Sequence, residues 1–229
     1  MTEPTITDRP QLYGADYSVY VRIARLALLE KGVAHDLVPV DIFAEGGMRD
    51  SHLARHPFGK IPAFEHGDFH LYETGAITRY VDEAFDGPAL QPADAKSRAR
   101  MNQIISIADG YVYPHLVWGL YVECIEKPKR GEALDEDRVE SARGVALISL
   151  TVLAGLLSDH RWMCGDRLTL ADLYLAPMID YAVEVPELRE MFAEHRNLGD
   201  WWQRVTALDS FRDTQPSSWR QKSANFLFA

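Results

Sequence analysis

The sequence predicts an α/β domain of pattern β-α-β-α-β-β-α followed by an all-α domain, a helical bundle, and three observations carry that prediction. Short apolar runs alternate with helical patterns as far as residue 86. A Gly/Pro-bearing stretch, DGPALQPADA, then breaks the pattern. Beyond it, every periodic segment has helical spacing. For this chain of 229 residues we predict a first domain at 1–86, a linker at 87–96 and a second domain at 97–229.

The first domain contains seven short segments with distinct signals. PQLYGA predicts a first strand, and SVYVRIARLALLEKG predicts a helix with Ser18 as its N-cap and Gly32 as its C-cap. AHDLVPVDI predicts a second strand, which Pro39 places at a sheet edge. A loop and short helix follow in AEGGMRDSHLARHPFG. KIPAFEH and GDFHLYE then predict a hairpin, and ETGAITRYVDEAF predicts the closing helix.

The second domain shows four helical segments. The first, KSRARMNQIISIADGYVYPHLVWGLYVECIE, contains Pro114, which predicts a kink. DEDRVESARGVALISLTVLAGLLSDH starts on acidic residues and carries an apolar stripe. TLADLYLAPMIDYAVE and NLGDWWQRVTAL are the other two. Thr169 and Asp172 have the spacing of a capping box, so we expect them to serve folding rather than chemistry.

The composition excludes several classes of function. A formal net charge of -10 argues against nucleic-acid binding. The two cysteines, Cys124 and Cys164, form no C-x-x-C pair, so they predict neither a disulfide framework nor a metal site, and we expect inert packing thiols. The first residues, MTEPTITDRPQ, do not resemble a signal peptide, and no apolar run of membrane-spanning length is expected. These features predict a cytoplasmic protein without membrane contact.

Two short features in the first domain point to a ligand. A cis bond between Ile61 and Pro62 would turn the N–H and C=O of Ile61 outward, where an extended peptide could pair with them. Glu73 and Thr74 begin a helix, where free N–H groups and the helix dipole favour an anion. Together they fit a ligand with a peptide backbone, a carboxylate and an amine. An ordinary strand start and an ordinary helix cap remain the alternatives.

The segment HPFGKIPAFEHGDFHLYETGAITRYV resembles the thioredoxin-like domain of cytosolic glutathione transferases. In it His56 replaces the usual asparagine, Thr74 replaces serine and Gly75 replaces arginine. RLALLEKG, CGDRLTLADLYLAP and HRNLGDWWQRVTALDSF resemble three further motifs of the family in the same order. The resemblance implies a thioredoxin-like domain plus an all-helical domain, glutathione as co-substrate, and a bacterial member of a phi-like, beta-like or related serine-type class.

The resemblance also assigns roles to residues around Pro62. Ile61 would bind the cysteinyl backbone of glutathione, and Glu73 and Thr74 would bind its γ-glutamyl end. Lys60, or else Arg49 or His52 on the preceding loop, would reach the glycyl carboxylate; a solvated surface position is the alternative for these three.

A hydroxyl group must favour the thiolate, because a free thiol titrates near ~8.5. The loop GADYSVYVR lies where that donor belongs, and alignment on RLALLEKG places Ser18 at the family's catalytic serine. Tyr17 is the second candidate, and Tyr13 and Tyr20 are further ones. Tyr17 stands at the position where beta-class members of the family carry a cysteine. The absence of a cysteine at this position disfavours mixed-disulfide chemistry.

The helical domain would bind the electrophile, in line with the family. Its aromatic segment supplies candidates for the electrophile pocket, with Tyr13 of the first domain: Tyr111, His115 and Trp118. The resemblance implies a homodimer, with Phe58, Arg79 and Arg98 as candidate interface residues. A glutathione-dependent isomerase or dehalogenase, and a non-catalytic glutathione carrier, are the competing functions.

Overall fold

The computed structural model describes residues 9–43 and 50–217, and it divides the chain into two compact units. Unit 1 comprises residues 1–89 and 209–229, and unit 2 comprises residues 90–208. The first unit is an α/β unit and the second is helical throughout its regular elements. The elements of unit 1 are β1 (Gln11–Gly14), α1 (Val19–Glu30), β2 (Asp36–Pro39), α2 (Asp50–Leu53), β3 (Ala63–His66), β4 (Phe69–Tyr72), α3 (Thr74–Ala84) and the C-terminal α10 (Asp209–Asp213).

A four-stranded mixed sheet of order β2-β1-β3-β4 forms the centre of unit 1. β1 pairs in parallel with β2 and antiparallel with β3, and β4 completes a hairpin with β3. Pro39 lies on the edge strand β2, as predicted from its missing N–H. Gly67 takes a φ of 63° in the hairpin turn, a conformation that favours glycine. The predicted thioredoxin-like pattern is confirmed.

The predicted domain boundaries differ from the observed division at the C-terminal end of the chain. α10 packs on α1 in unit 1. Phe211 is buried there beneath the guanidinium of Arg22, which lies 5.2 Å from the ring centroid. Nη2 of Arg25 donates to the carbonyl oxygen of Asp213 at 3.1 Å. Residues 209–217 therefore belong to the α/β unit, although the sequence pattern assigned them to the helical domain.

Unit 2 begins with a long helical stretch in which the winding changes. α4 (Ala95–Ile107) runs directly into a π-helical segment (Ala108–Glu126), which runs into α5 (Lys127–Lys129). Pro114 lies inside the π-helical segment, so the helix continues on both sides of this proline. A proline has no N–H for an α-helical bond, and a change of winding is one known way to accommodate it. The remaining helices are α6 (Glu136–Leu157), α7 (Leu170–Ala182), α8 (Pro186–Ala193) and α9 (Arg196–Thr206).

The predicted capping box at the start of α7 is present and extends further than expected. The Asp172 carboxylate accepts from N–H and hydroxyl of Thr169, both at 2.9 Å. It also accepts from the N–H of Met163 at 2.8 Å and from Nε1 of Trp201 at 2.9 Å. Because Asp172 is fully buried, this one carboxylate ties the loop before α7 and helix α9 to the α7 start.

Helix α6 corrects the expectation that no apolar run reaches membrane-spanning length. It has 22 residues and a mean hydropathy of 1.5 over its most apolar stretch, enough to cross a membrane by length and composition alone. Its inward residues nevertheless recur at helical spacing and are buried in unit 2, as in an amphipathic bundle helix: Val139, Ala142, Ala146, Leu150, Leu153 and Leu157. Three large apolar side chains remain exposed on it: Leu147, Ile148 and Val152.

Candidate functional site

The loop before β3 presents a main chain with open hydrogen-bonding capacity. The Ile61–Pro62 peptide bond is cis, as predicted. Within residues 9–43 and 50–217, neither the N–H nor the C=O of Ile61 makes a hydrogen bond. Since buried main-chain groups are nearly always paired, these two groups are suited to an extended peptide ligand.

Gly14 brings the Ile61 loop close to the start of α1. A Cβ atom built on Gly14 would lie 2.3 Å from Cγ2 of Val21 and 3.5 Å from Cβ of Ile61. A side chain at position 14 would therefore clash with α1, and the strand end, the helix and the loop meet here. The sequence indicated Gly14 only as the end of a strand, because close approach between distant segments leaves no local signal.

Ser18 and Tyr17, the two catalytic candidates, lie at the start of α1 in different roles. Ser18 is the N-cap residue, and its Oγ accepts from the N–H of Val21 at 3.4 Å. That bond uses a lone pair of the oxygen, so the hydroxyl proton can be donated elsewhere. Tyr17 donates its hydroxyl proton to Oδ1 of Asp41 at 2.6 Å. Burial and the Asp41 carboxylate raise the pKa of Tyr17 well above its usual range.

Tyr13 was predicted to line the electrophile pocket, which stays a prediction, and within unit 1 it contacts polar side chains of the sheet. Its hydroxyl oxygen lies 2.6 Å from both Oε2 of Glu65 and Oε1 of Gln11. The guanidinium of Arg55 lies 4.3 Å from the centroid of the tyrosine ring. Because side chains alternate along a strand, Tyr13 and Glu65 share one sheet face, and Tyr13 is enclosed in a polar cluster there.

His52 was predicted to contact the ligand, but its side chain is 3% exposed. Its Nε2 lies 2.8 Å from the carbonyl oxygen of Lys60, so His52 supports the loop that carries Lys60, and its contact with the ligand stays a prediction. The Lys60 side chain itself is exposed, and its candidacy for the glycyl carboxylate stays a prediction. Arg49, the third candidate, lies outside the described residues.

The start of α3 holds an unusual backbone conformation at Glu73. This N-cap residue has φ 71° and ψ 116°, a region that side-chain-bearing residues rarely adopt. Such strain costs about 1–3 kcal/mol and persists where the surroundings impose it, commonly at ligand sites. The Glu73 side chain is 67% exposed, whereas Thr74, the first residue of the helix, is buried. An exposed carboxylate thus stands beside a helix N-terminus.

His56 is a feature that the sequence indicated only as a replacement for asparagine. Its ring is 2% exposed and packs against the ring of Tyr72 at 4.9 Å between centroids. Nε2 lies 4.0 Å from Oε1 of Glu73. Burial, the largest cause, lowers the pKa of His56. A buried, neutral imidazole therefore lies next to the exposed Glu73 carboxylate.

The three electrophile-pocket candidates of unit 2 lie in the π-helical segment. Tyr111 is exposed, with 56% of its surface accessible. Nδ1 of His115 lies 2.8 Å from the carbonyl oxygen of Tyr111, one turn earlier. Trp118 is half-buried and makes an edge-on contact with Tyr113. These contacts leave the predicted role of the three residues untested.

The cysteines offer no competing nucleophile. Burial raises the pKa of the Cys124 thiol and raises the pKa of the Cys164 thiol to about 11. A thiol with a raised pKa is a poor nucleophile near neutral pH. Within the described residues, no group of histidine, cysteine and carboxylate side chains could hold a metal ion.

A thioredoxin-like unit with open main-chain groups before a cis-proline, followed by a helical unit, defines the class of glutathione-binding two-domain proteins. The chain belongs to the glutathione S-transferase family. The family model for the glutathione S-transferase N-terminal domain matches residues 12–89, and that for the C-terminal domain matches residues 113–209.

The relatives of this chain include plant enzymes of similar length. Glutathione S-transferase F12 of Arabidopsis thaliana is 29% identical, with 88% of this chain and 95% of the relative covered. Glutathione S-transferase 4 of Zea mays is 31% identical, with 88% and 89% covered. The crystal structure of glutathione transferase F7 from Populus trichocarpa superposes with a TM-score of 0.80 at 27% identity, over 90% of this chain and 97% of that one. The bacterial assignment made from the resemblance is not borne out, since these relatives come from plants.

Proposed function

We infer that this protein is a glutathione transferase, which activates the thiol of glutathione for attack on a small hydrophobic electrophile. The observation that carries the inference is the unpaired N–H and C=O of Ile61, held beside the start of α1 by the close approach at Gly14. Two main-chain groups at this position match the N–H and C=O of one residue in an extended peptide.

The proposed binding mode uses both ends of the tripeptide. Ile61 pairs with the cysteinyl residue, and Pro62 fixes the direction in which the loop continues. The γ-glutamyl end meets the α3 start, where the free N–H groups and Thr74 receive its carboxylate and Glu73 receives its ammonium group. Lys60 supplies a positive charge for the glycyl carboxylate. The exposed Glu73 carboxylate and the helix N-terminus beside it support this orientation.

Ser18 is the proposed activating group. Its hydroxyl proton, together with the positive end of the α1 dipole, stabilises the thiolate once the thiol proton has left for solvent. The thiolate then attacks the electrophilic carbon, a new C–S bond forms, and the leaving group departs with its electron pair. In an addition, the carbon acceptor takes a proton from solvent instead. Tyr111, His115 and Trp118 are the proposed contacts for the electrophile.

Binding measurements with two peptides test the proposed orientation. Calorimetry is expected to show glutathione binding to the wild-type protein at neutral pH. Cysteinylglycine, which lacks the γ-glutamyl residue, should bind at least about tenfold more weakly because it forfeits the contacts at α3. Conjugation of a chloro-nitroaromatic should accompany glutathione binding. Absence of glutathione binding at millimolar concentration would contradict the proposed function, and equal binding of the two peptides would contradict the orientation.

We also propose that the protein is a cytoplasmic homodimer without membrane or nucleic-acid partners. Two exposed apolar features support self-association: Phe58 is 71% exposed, and α6 carries Leu147, Ile148 and Val152 on its exposed side. Large apolar side chains left exposed to solvent are candidates for a protein interface. The net charge of -10 opposes binding to nucleic acid and to anionic membranes. Detoxification of electrophiles is the cellular role that this activity would serve.

A further inference from the structure

His56 is almost fully buried next to the proposed site for the amino end of glutathione. It follows α2, and its main-chain N–H donates to the carbonyl oxygen of His52 at 2.8 Å, which anchors the residue. The ring is held between the rings of Tyr72 and Phe58, at centroid distances of 4.9 and 6.3 Å. Only its Nε2 edge points to a charged group, the Glu73 carboxylate at 4.0 Å.

The surroundings of His56 favour the neutral ring with its proton on Nε2. Within the described residues, Nδ1 is buried and has no hydrogen-bond partner, so a proton placed there would be an unsatisfied buried donor. The groups that act on the ring electrostatically are Glu73, which favours the charged form, and His52 and Lys60, which oppose it. Burial outweighs Glu73, and the pKa of His56 is lowered.

The main chain of Glu73 fixes the position from which its carboxylate extends. Its backbone is fixed at φ 71° and its carboxylate is the one acceptor that the structure places near Nε2 of His56 among the described residues. Any charge on His56 therefore acts directly on the group that receives the ligand's ammonium. An imidazolium beside an ammonium is a repulsive pair, screened little where one partner is buried.

We propose that His56 is a positioning residue, which orients the Glu73 carboxylate toward the ammonium group of glutathione while the imidazole is neutral and opposes binding of that ammonium when it is protonated. The inference rests on the proposed function and adds a proton-linked control of the same site. By reciprocity, bound glutathione must lower the proton affinity of His56 by the same factor by which the proton weakens glutathione binding.

The direction of the pH effect follows from that linkage. Above the pKa of the free protein's His56, which lies below the ordinary 6.5, the ring is neutral and the affinity for glutathione is at its full value. As the pH falls through that pKa, the affinity declines, and it levels off below the pKa of the liganded state. For one repulsive charge pair at the edge of a buried site we expect about a tenfold loss.

The test measures the dissociation constant of glutathione between pH 7.5 and pH 5 for the wild type, His56→Asn and His70→Asn. Asparagine has no titrating group but keeps an N–H donor, and His70 is an exposed histidine on β4 that serves as the matched control. The wild type and His70→Asn should lose affinity progressively toward pH 5, with the full loss of about tenfold reached only below the pKa of the liganded state, while His56→Asn loses less than twofold.

Two further measurements keep the proposal falsifiable if His56→Asn fails to fold. Deamino-glutathione lacks the ammonium group. Its dissociation constant for the wild-type protein should therefore not show the loss of affinity toward pH 5 that is expected for glutathione. Nuclear magnetic resonance of the ring-labelled histidines, of which the chain has 8, should show one pKa that falls by about one unit on saturation with glutathione. Equal pH dependence in wild type and His56→Asn, or no histidine shift on binding, overturns the role of His56. Failure to bind glutathione at pH 7.5 overturns the proposed function instead.

Discussion

Ser18 and Tyr17 are adjacent in sequence, yet their hydroxyl groups have different chemical capacities. The Tyr17 hydroxyl donates its hydrogen bond to Asp41 and its pKa is raised, so this hydroxyl is already engaged as a donor and does not readily form a phenolate. Ser18 accepts from Val21 and retains its own proton for another partner. A contact to a residue 24 positions away from Tyr17 thus distinguishes the first two of the four hydroxyl candidates that the sequence left open.

Replacing each hydroxyl separately tests that distinction. Ser18→Ala should lower kcat/KM for a chloro-nitroaromatic by about 100-fold, the usual effect of losing one donor to a developing or stabilised anion. The pKa of bound glutathione, followed by thiolate absorbance, should rise in parallel. Tyr17→Phe is the matched control, and should change kcat/KM less than threefold. A large loss with Tyr17→Phe and none with Ser18→Ala would reverse the assignment.

The backbone conformation of Glu73 predicts that two substitutions there differ in stability but weaken binding alike. Glu73→Gly should be more stable than Glu73→Ala by about 1 kcal/mol, because glycine adopts φ 71° without the strain that alanine retains. Both variants should bind glutathione at least about tenfold more weakly, since each lacks the carboxylate. Thermal unfolding and calorimetry measure the two effects. Equal stability of the two variants would show that the backbone at residue 73 relaxes without cost.

How much could be predicted at this scale depends on whether a residue's role is local. The cis bond at Pro62 and the helix start at Glu73 belong to continuous motifs, and both were predicted correctly. The enclosure of Tyr13 by Glu65 and Arg55, and the inward orientation of His52, arise from packing between strands and loops far apart in sequence. Such contacts leave no periodic or compositional signal, so the sequence could not indicate them, and the roles first assigned to these two residues stay predictions.

At the scale of elements, helix α7 is fixed by its first residues. Thr169 and Asp172 signal the helix start in the sequence. Nothing in the sequence indicates that the indole N–H of Trp201 donates to the same Asp172 carboxylate. Helix α8 was not predicted, although Pro186 at its first position is a recognised start signal. The π-helical winding around Pro114 could not be predicted either, because the sequence periodicity there serves an α-helix equally well.

Loss of the α7 carboxylate should destabilise the protein severely. Asp172→Ala removes the acceptor of four hydrogen bonds and leaves buried donors on Thr169, Met163 and Trp201 unsatisfied. We expect a decrease of about 3 kcal/mol or more in the free energy of unfolding, measured by urea denaturation. Asp166→Ala, at an exposed position shortly before the helix, should cost less than about 0.5 kcal/mol. Similar losses in both variants would contradict a special role for Asp172.

At the scale of the whole molecule, exposed apolar surface on α6 stands out against a chain of net charge -10. Three apolar side chains facing solvent on one helix need a partner or a functional reason, since monomeric soluble proteins rarely leave such groups together in water. The order of secondary structure predicted the two fold classes correctly. This order could not indicate that helix α10 packs on α1. Amphipathic periodicity shows which face of a helix is buried but not which element packs against that face.

Charges placed on the exposed side of α6 should separate the proposed dimer. We expect Leu147→Glu combined with Ile148→Glu to shift the mass measured by light scattering from two chains to one, because buried unpaired carboxylates oppose association. Leu134→Glu, on an exposed residue outside α6, makes the same kind of change and should leave the dimer intact. A wild-type protein that is monomeric at micromolar concentration would contradict the proposal outright.

The position of α10 affects how the α/β unit can be completed during synthesis. Phe211 and Thr214 are buried against the first unit, and the N–H of Ser217 donates to Oδ2 of Asp16 at 2.8 Å, in the loop that carries Ser18. The ribosome makes these residues after the whole helical unit, residues 90–208. The nascent amino-terminal unit therefore waits, with part of its apolar surface uncovered, until the helical unit has been synthesised as well.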